Sequence, residues 1–426
     1  MSANALRDLI CPMFDESVLV KILKKSTGLH DVRVNEVKVK DSATNKGDSY
    51  LSTIVRFTIE GTVKDDDWRS TNVTCPVLVK TLPKNIARQK SFRSTDFFRN
   101  EVIFYNDVWD TMLLFQETRG VRNKFTNIPR CFAAMSDGKN DYIALEDLTA
   151  QSYVPFKRQN QMDYENIVMI IRLFARFHAL SFALKDRIPE IFQNLVDKIE
   201  ETYFDEKYRN WYAKFHGMLI NCSRDAIEQE LAPSYLEKFD ELIASDLYGK
   251  VVKIAQNKNS KCAVITEGDA WIPNFLCKYN AEGKPEDMKL IDFQLARFCS
   301  LTCDISFFLY ACASYTLLCE RWDDILAEYH RTFAENLAIL RCDPTLLSLE
   351  DIKADMKENA LLGAAMAMEA MPFQLMDDSE AADLDSMKGD EALDITTVFI
   401  VTPIKTKEGR QQLANVWKHA IDNEFV

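Results

Sequence analysis

The stretch "VITEGDAWIPNFLCKY", Val264 to Tyr279, sets two polar side chains in an apolar run. Asp269 and Asn274 stand at the spacing D-x-x-x-x-N. A little downstream, "LIDFQLARF" (Leu290 to Phe298) places a further carboxylate, Asp292, among apolar neighbours. An ionised group in such surroundings is costly unless it is paired or binds a metal. The pieces "CAVIT", "NFLCKY" and "MKLIDF" read as short strands around these residues. Gly283, just before "PEDMKL", marks a hairpin turn between the last two.

Working outward, the first 145 residues read as strands with one good helix among them. "STIVRFTIEGTV" alternates, with Thr53, Val55, Phe57 and Ile59 on one face, so it predicts a half-buried strand. "CPVLVKTLP" is a second strand, carrying Lys80 on the same face as Leu78. "STDFFRNEVIFYNDVWDTMLL" changes to helical period, with Ser94, Thr95 or Asp96 as N-cap. Glu101 then falls on the apolar stripe of that helix and needs a partner; Lys80 is the economical one. "DYIALEDL" is a third strand, ending at Glu146 and Asp147.

Beyond Leu148 the pattern turns mainly helical. "MDYENIVMIIRLFARFHALSFALK" is amphipathic, with Ile167, Ile170, Ile171, Phe174, Phe177 and His178 on one stripe. His178 reads as a core histidine with both nitrogens satisfied. "TTVFIVT" reads as a late strand and the acidic residues 376–394 as a solvated loop or short helix. The pattern divides the chain into residues 1–145, a connection at 146–150, and residues 151–426, with a ligand cleft between the two parts.

Bulk properties narrow the function classes. A net charge of −13 over 426 residues argues against a large nucleic-acid footprint. The N-terminus lacks a secretory pattern, and the sequence shows no uninterrupted apolar span, so neither secretion nor a membrane is expected. Eleven cysteines without paired spacing suit reduced thiols and a cytoplasmic setting. Cys299 and Cys303 in "FCSLTC" read as two small apolar residues on one helix face rather than a zinc site.

Phosphoryl transfer from ATP relies on positioning and electrostatic stabilisation. It asks for a carboxylate to orient the acceptor hydroxyl and take its proton. It asks for oxygen ligands to hold Mg2+, and for a strand lysine, fixed by a helix glutamate, to steady the phosphates. Asp269 fits the first role, Asn274 and Asp292 the second, and Lys80 with Glu101 the third, in the order found in kinases.

The segments "VLVKTLP", "FFRNEVIFY", "IALEDL", "ARFHALSFALK", "EGDAWIPNFL" and "LIDFQLARF...CDISFFLY" resemble the ecdysteroid kinase-like family, related to choline kinases and aminoglycoside phosphotransferases. The resemblance runs from about Asp31 to the last helix. Its most specific pieces are Trp271 in "GDAW" and Gln294 in "DFQ". It implies an α+β, protein-kinase-like two-lobed fold, ATP with Mg2+ as donor, and a small-molecule hydroxyl as acceptor. An ecdysteroid or a foreign alcohol or phenol is the kind of acceptor implied. It also implies adenine binding by the backbone of Glu146 and Leu148, and a glycine-poor phosphate loop with Gly47 and Ser52. The sequence departs from the family at one point: relatives read His-Gly-Asp where this chain has Glu267-Gly268-Asp269. A glutamate there adds negative charge beside Asp269 and Asp292 and raises the alternative of a catalytically weak protein that binds nucleotide or steroid. A protein kinase is the least favoured reading, since no peptide-docking segment follows "DFQ".

Overall fold

Strand alternation and helical stripes become elements whose order is α+β. The computed structural model describes residues 3–40, 51–65, 67–377 and 383–426. Chain order begins with helices α1 (Ala3–Leu9) and α2 (Glu16–Thr27), then strands β1 (Asp31–Val39), β2 (Thr53–Lys64) and β3 (Ser70–Thr81). Helices α3 (Ile86–Ser91), α4 (Ser94–Ile103) and α5 (Asp110–Thr118) follow, then β4 (Cys131–Met135) and β5 (Tyr142–Glu146). These five strands form one antiparallel sheet in the order β1-β2-β3-β5-β4.

Alternation decides what each face of the sheet covers. Phe57 and Ile59 of β2 and Val77 and Val79 of β3 point to one side. There they join Leu6 of α1, Phe14 of the link and Leu19 and Ile22 of α2 in one apolar cluster. Ile143 and Leu145 of β5 belong instead to the larger cluster, with Phe104, Trp109 and Met112 of the α4–α5 helix. The sequence reading gave this region a single helix, and α1 and α2 correct it. The signal for α2 was present: Val18, Leu19, Ile22 and Leu23 form its buried stripe, Asp15 caps its first turn and Gly28 (φ 75°) ends it.

The expected N-cap of α4 is also corrected. The residue before the helix is Arg93, in left-handed conformation with no side-chain cap. Its guanidinium is held by Asp96 at 2.9 Å and the Thr202 carbonyl at 3.0 Å, and it lies 3.3 Å from the Tyr208 ring centre. From α4 the helix passes through a wide π-turn (Phe104–Trp109) into α5, which buries Phe104, Tyr105, Val108 and Trp109 together.

The remainder comprises β6 (Val154–Pro155), α6 (Tyr164–Arg187), α7 (Pro189–Val196), α8 (Arg209–Glu230), α9 (Pro233–Ala244) and α10 (Leu247–Ala255). Next come β7 (Ala263–Thr266), β8 (Phe275–Tyr279), β9 (Pro285–Leu290) and β10 (Arg297–Ser300). Helices α11 (Leu301–Cys312), α12 (Tyr315–Ile339), α13 (Leu349–Leu375) and α14 (Lys407–Asp422) complete it. β8 and β9 form the expected hairpin, with Gly283 at φ 76°, and β6 adds a third strand. All six stripe residues of α6 are buried. By length and composition α6 is apolar enough to cross a membrane, a feature missed in the sequence, but 78% of its apolar window is buried in the protein core.

Two further expectations fail. Cys299 lies in β10 and Cys303 in α11, so they do not share a helix face. All eleven thiols are free, and only Cys319 is exposed. "TTVFIVT" forms no strand: Ile395–Thr397 is a 3-10 turn capped by Asp394. Lacking a strand partner among the described residues, the segment is anchored side chain by side chain, with Phe399 4.8 Å from Phe92 and 5.2 Å from Phe373.

Phe57 is fully buried and meets Phe14 edge-on at 6.0 Å. Phe57→Ala should cost about 3–5 kcal/mol, read as a lowered midpoint in equilibrium urea unfolding.

Candidate active site

Lys80 leaves the sheet on the face opposite Val77 and Val79, directed at the hairpin part of the molecule. Its Nζ lies 2.6 Å from Glu101 Oε2 on α4 and 2.9 Å from Asp292 Oδ1 just after β9. Lys80 is 8% exposed and Glu101 1%. Burial pulls the Lys80 pKa down; Asp292 and Glu101 outweigh it and raise it. Burial pushes the Glu101 carboxyl up, and Lys80 opposes that. Glu101 Oε1 meets no hydrogen-bond partner of good geometry among the described residues, although the Phe293 N–H is near enough to favour the ionised form.

The loop after β7 carries the next group. Asn274 Nδ2 donates to the Asp269 carbonyl at 2.8 Å and to Asp269 Oδ2 at 3.0 Å. Gln294 Nε2 reaches the same Oδ2 at 3.5 Å. The Asp269 carboxyl is pushed up to about 7, by burial and then by the negative charge of Asp292, with Asn274 opposing. Asp292 itself holds a left-handed φ of 67°. The structure thus brings Asp269, Asn274, Asp292, Lys80 and Glu101 into one site, from strands, helix and loops far apart in sequence.

What fixes the loop is Asp304 of α11, which sequence reasoning passed over. Its carboxylate accepts the backbone N–H of Glu267 at 2.7 Å and of Gly268 at 2.9 Å. His178 Nε2 lies 3.1 Å from the same carboxylate, and His178 Nδ1 2.8 Å from the Tyr329 hydroxyl. His178 is fully buried and both ring nitrogens are satisfied. The signal for Asp304 was an acid inside the apolar run "LTCDISFFLYAC". Gly268 has φ 86°, and a Cβ there would stand 2.0 Å from the Leu295 carbonyl oxygen, so only glycine fits.

Glu267 is 1% exposed. Its Oε2 accepts the Asp269 N–H at 2.9 Å, and its Oε1 is buried without a partner. Burial, then the charges of Asp304 and Asp269, pushes its carboxyl well above the usual range and favours the protonated acid.

Three other predicted residues sit apart from this cluster. The Ser52 carbonyl, one residue before β2, accepts Arg88 Nη2 at 3.2 Å; Gly47 lies outside the described residues. The Glu146 side chain accepts the Arg130 N–H and Gln151 Nε2, both at 2.9 Å, bracing β4 and the turn after β5. Leu148 opens a 3-10 turn capped by Asp147, and its N–H donates to no backbone carbonyl among the described residues.

Two supports had weaker signals. Asn100 on α4 donates to the Gln294 and Ala296 carbonyls at 3.1 and 2.8 Å, and Phe104 stacks on Phe293 at 3.8 Å and 4°. They lock the "DFQL" turn onto the helix that carries Glu101. Glu369 on α13 accepts the hydroxyls of Tyr203 at 2.5 Å and Tyr212 at 2.8 Å. Burial pushes it up to about 7, and its charge adds to the rise at Asp269.

The donor set suits a hard cation. Asn274 Oδ1 and Asp292 Oδ2 accept no hydrogen bond among the described residues, and both are neutral or anionic oxygens of the type Mg2+ prefers. Among the described residues no three His, Cys, Asp or Glu side chains form a metal cage. Metals held largely by phosphates and water do not need one.

A sequence model of the family described as the ecdysteroid kinase-like family matches residues 46–342. No curated protein matches the chain. Among solved structures, the GDP complex of wild-type aminoglycoside 2'-phosphotransferase-IIIa is similar at TM-score 0.34 and 11% identity, over 83% of this chain and 98% of that one. A GDP complex of a mutant of that enzyme gives TM-score 0.33 and 12% identity, over 84% and 97%.

Gly268→Ala should destabilise the protein by at least about 2 kcal/mol, because both the φ and the Leu295 carbonyl oppose a methyl group. Thermal unfolding of the purified variant measures it; an unchanged midpoint would mean that the loop is not held as described.

Proposed function

The chain belongs to the ecdysteroid kinase-like family, and from that premise we propose that it is an ATP-dependent small-molecule kinase. The acceptor we infer is a hydroxyl on an apolar molecule, such as an ecdysteroid or a foreign alcohol or phenol. One observation carries the reading: Lys80 joins Glu101 and Asp292 beside the Asp269–Asn274 pair. A chain without this chemistry has no need to bury those groups together.

In this reading residues 1–145 and 151–426 are two lobes joined at 146–150, with nucleotide between them. The Leu148 N–H is free to donate to an adenine edge. Lys80 steadies the phosphates, and Glu101 limits where its ammonium can reach. Mg2+, when bound, would offset charge on the transferring phosphoryl group, and Asn274 Oδ1 and Asp292 Oδ2 would hold it. Asp269 Oδ2 is occupied by Asn274; its Oδ1 accepts no hydrogen bond among the described residues and is left to orient the acceptor O–H and take its proton.

The buried Glu267 favours a second reading, a weakly catalytic protein that binds nucleotide or steroid. Turnover separates the two. With labelled ATP and a panel of ecdysteroids, choline-like alcohols and phenols, the wild type should yield a phosphorylated product. Asp269→Ala should lower turnover by about 10²–10⁴-fold. Nucleotide binding with no product from any acceptor would establish the second reading.

Glu267→His should leave turnover unchanged or raise it, measured with the same assay. A large loss would give Glu267 a role of its own.

The pH profile follows from Asp269. A base must be ionised to accept a proton, and the folded-state carboxyl titrates at about 7. kcat/KM should therefore fall as pH drops through that value and level off above it. A flat profile from about pH 5.5 to about pH 8 would remove Asp269 from the role of base.

A further inference from the structure

From Asn359 to Gln374 every residue of α13 is buried except Glu369, which is half-buried. The helix is enclosed on all sides there. Water that reaches Glu369 therefore stands in a recess of the molecule and not on an outer face. Asp269 is also half-buried. The negative charge of Glu369 is felt at Asp269, where it helps to hold the carboxyl up. Packing joins their surroundings. Tyr203, which donates to Glu369, lies 6.2 Å from Phe97 of α4. Asn100 of the same helix holds the Gln294 carbonyl, and the Gln294 side chain reaches Asp269.

Glu369 has no countercharge. Its partners are the Tyr203 and Tyr212 hydroxyls, and no lysine, arginine or histidine forms an ion pair with it among the described residues. The cations set around Tyr203 are committed elsewhere. Arg93, which reaches it through Trp211, pairs with Asp96 at 2.9 Å. Arg297, which reaches it through Phe204, pairs with Glu201 at 3.0 Å. A carboxylate offers about four lone-pair sites. The two tyrosines fill one on each oxygen and leave the others to a donor that enters by the recess.

The charge selects the donor. A neutral hydroxyl would leave the carboxylate uncompensated, and unpaired charge away from bulk water is costly. A cation compensates it and offsets the repulsion between Glu369 and Asp269. A protonated amine brings both the charge and N–H donors.

We propose that Glu369 selects the acceptor by binding a protonated amine on it, while the hydroxyl of the same molecule meets Asp269. The inference rests on the kinase reading and narrows the acceptor to an alcohol or phenol that carries a basic nitrogen. Glu369 is then a specificity-determining residue, and the two tyrosines hold its carboxylate in place.

Matched pairs test it: tyramine with para-propylphenol, and 5-aminopentan-1-ol with hexan-1-ol, where a methyl group replaces the ammonium. Each is titrated by calorimetry into the full-length protein with Mg2+ and a non-hydrolysable ATP analogue. A pH of about 8 keeps Glu369 ionised and the amines charged. At least one amine should bind saturably, and at least about tenfold more tightly than its neutral counterpart. Glu369→Gln should erase that preference while keeping wild-type circular dichroism. A purely structural Glu369 would move both members of a pair alike. If Glu369→Gln does not fold, Glu369→Met, of similar volume and without charge, decides. The proposal is overturned by absence of saturable amine binding, by neutral counterparts binding as tightly, or by a folded variant that keeps the preference. Phosphorylated product without an amine preference would sink this inference and leave the kinase reading standing. An amine preference abolished by Glu369→Gln, with no product from any acceptor, would sink the kinase reading and leave the amine site.

Discussion

The ammonium of Lys80 is the point at which the molecule is tied together. One bond to Glu101 joins the sheet to the α4–α5 helix, and one to Asp292 joins both to the β8–β9 hairpin. Each partner is largely removed from water, so each depends on the others for compensation. Removing one partner of such a pair typically costs about 3–5 kcal/mol, because a charge is left stranded. The arrangement is therefore exacting about geometry. That exactness is supplied by apolar contacts around it: Val79 and Ile143 seat the strand, and the Phe104–Phe293 stack seats the turn after Asp292.

A second polar device positions the loop that bears Asp269. Asp304 accepts two successive backbone N–H groups and faces His178, which in turn is held by Tyr329. The loop is thus gripped through its backbone, and the side chain at 267 is spared that duty. Glu267 need only fill the buried space and accept the Asp269 N–H. The carboxyl does both without donating through Oε2. Its other oxygen, Oε1, is buried and meets no hydrogen-bond partner among the described residues.

How much of this was legible depended on whether the signal was local. The hairpin, the alternating β2 and the stripe of α6 were all readable, because burial on one face repeats with the period of the backbone. Glu101 could be assigned a partner from its place on an apolar stripe. The same logic applied to Asp304 and Glu369, acids inside apolar helices, would have found them. It was not enough for "TTVFIVT", whose β-branched composition suggests a strand although the described residues offer no strand to pair with it. Nor could it place the N-cap of α4, where Arg93 is fixed by contacts from Thr202 and Tyr208.

The sequence by itself determined the α+β division, the strand and helix that bear Lys80 and Glu101, and the identity of the oxygen-bearing residues at 269, 274 and 292. The division and the two elements follow from periodicity and the cost of burying charge, and the three residues from motif spacing and order, all signals that act over a few residues at a time. Only the tertiary structure decided which partner each charge found, and that Glu267 is buried beside Asp269 and Asp304. Those outcomes depend on distances between segments far apart in the chain, and a local pattern carries no information about such distances.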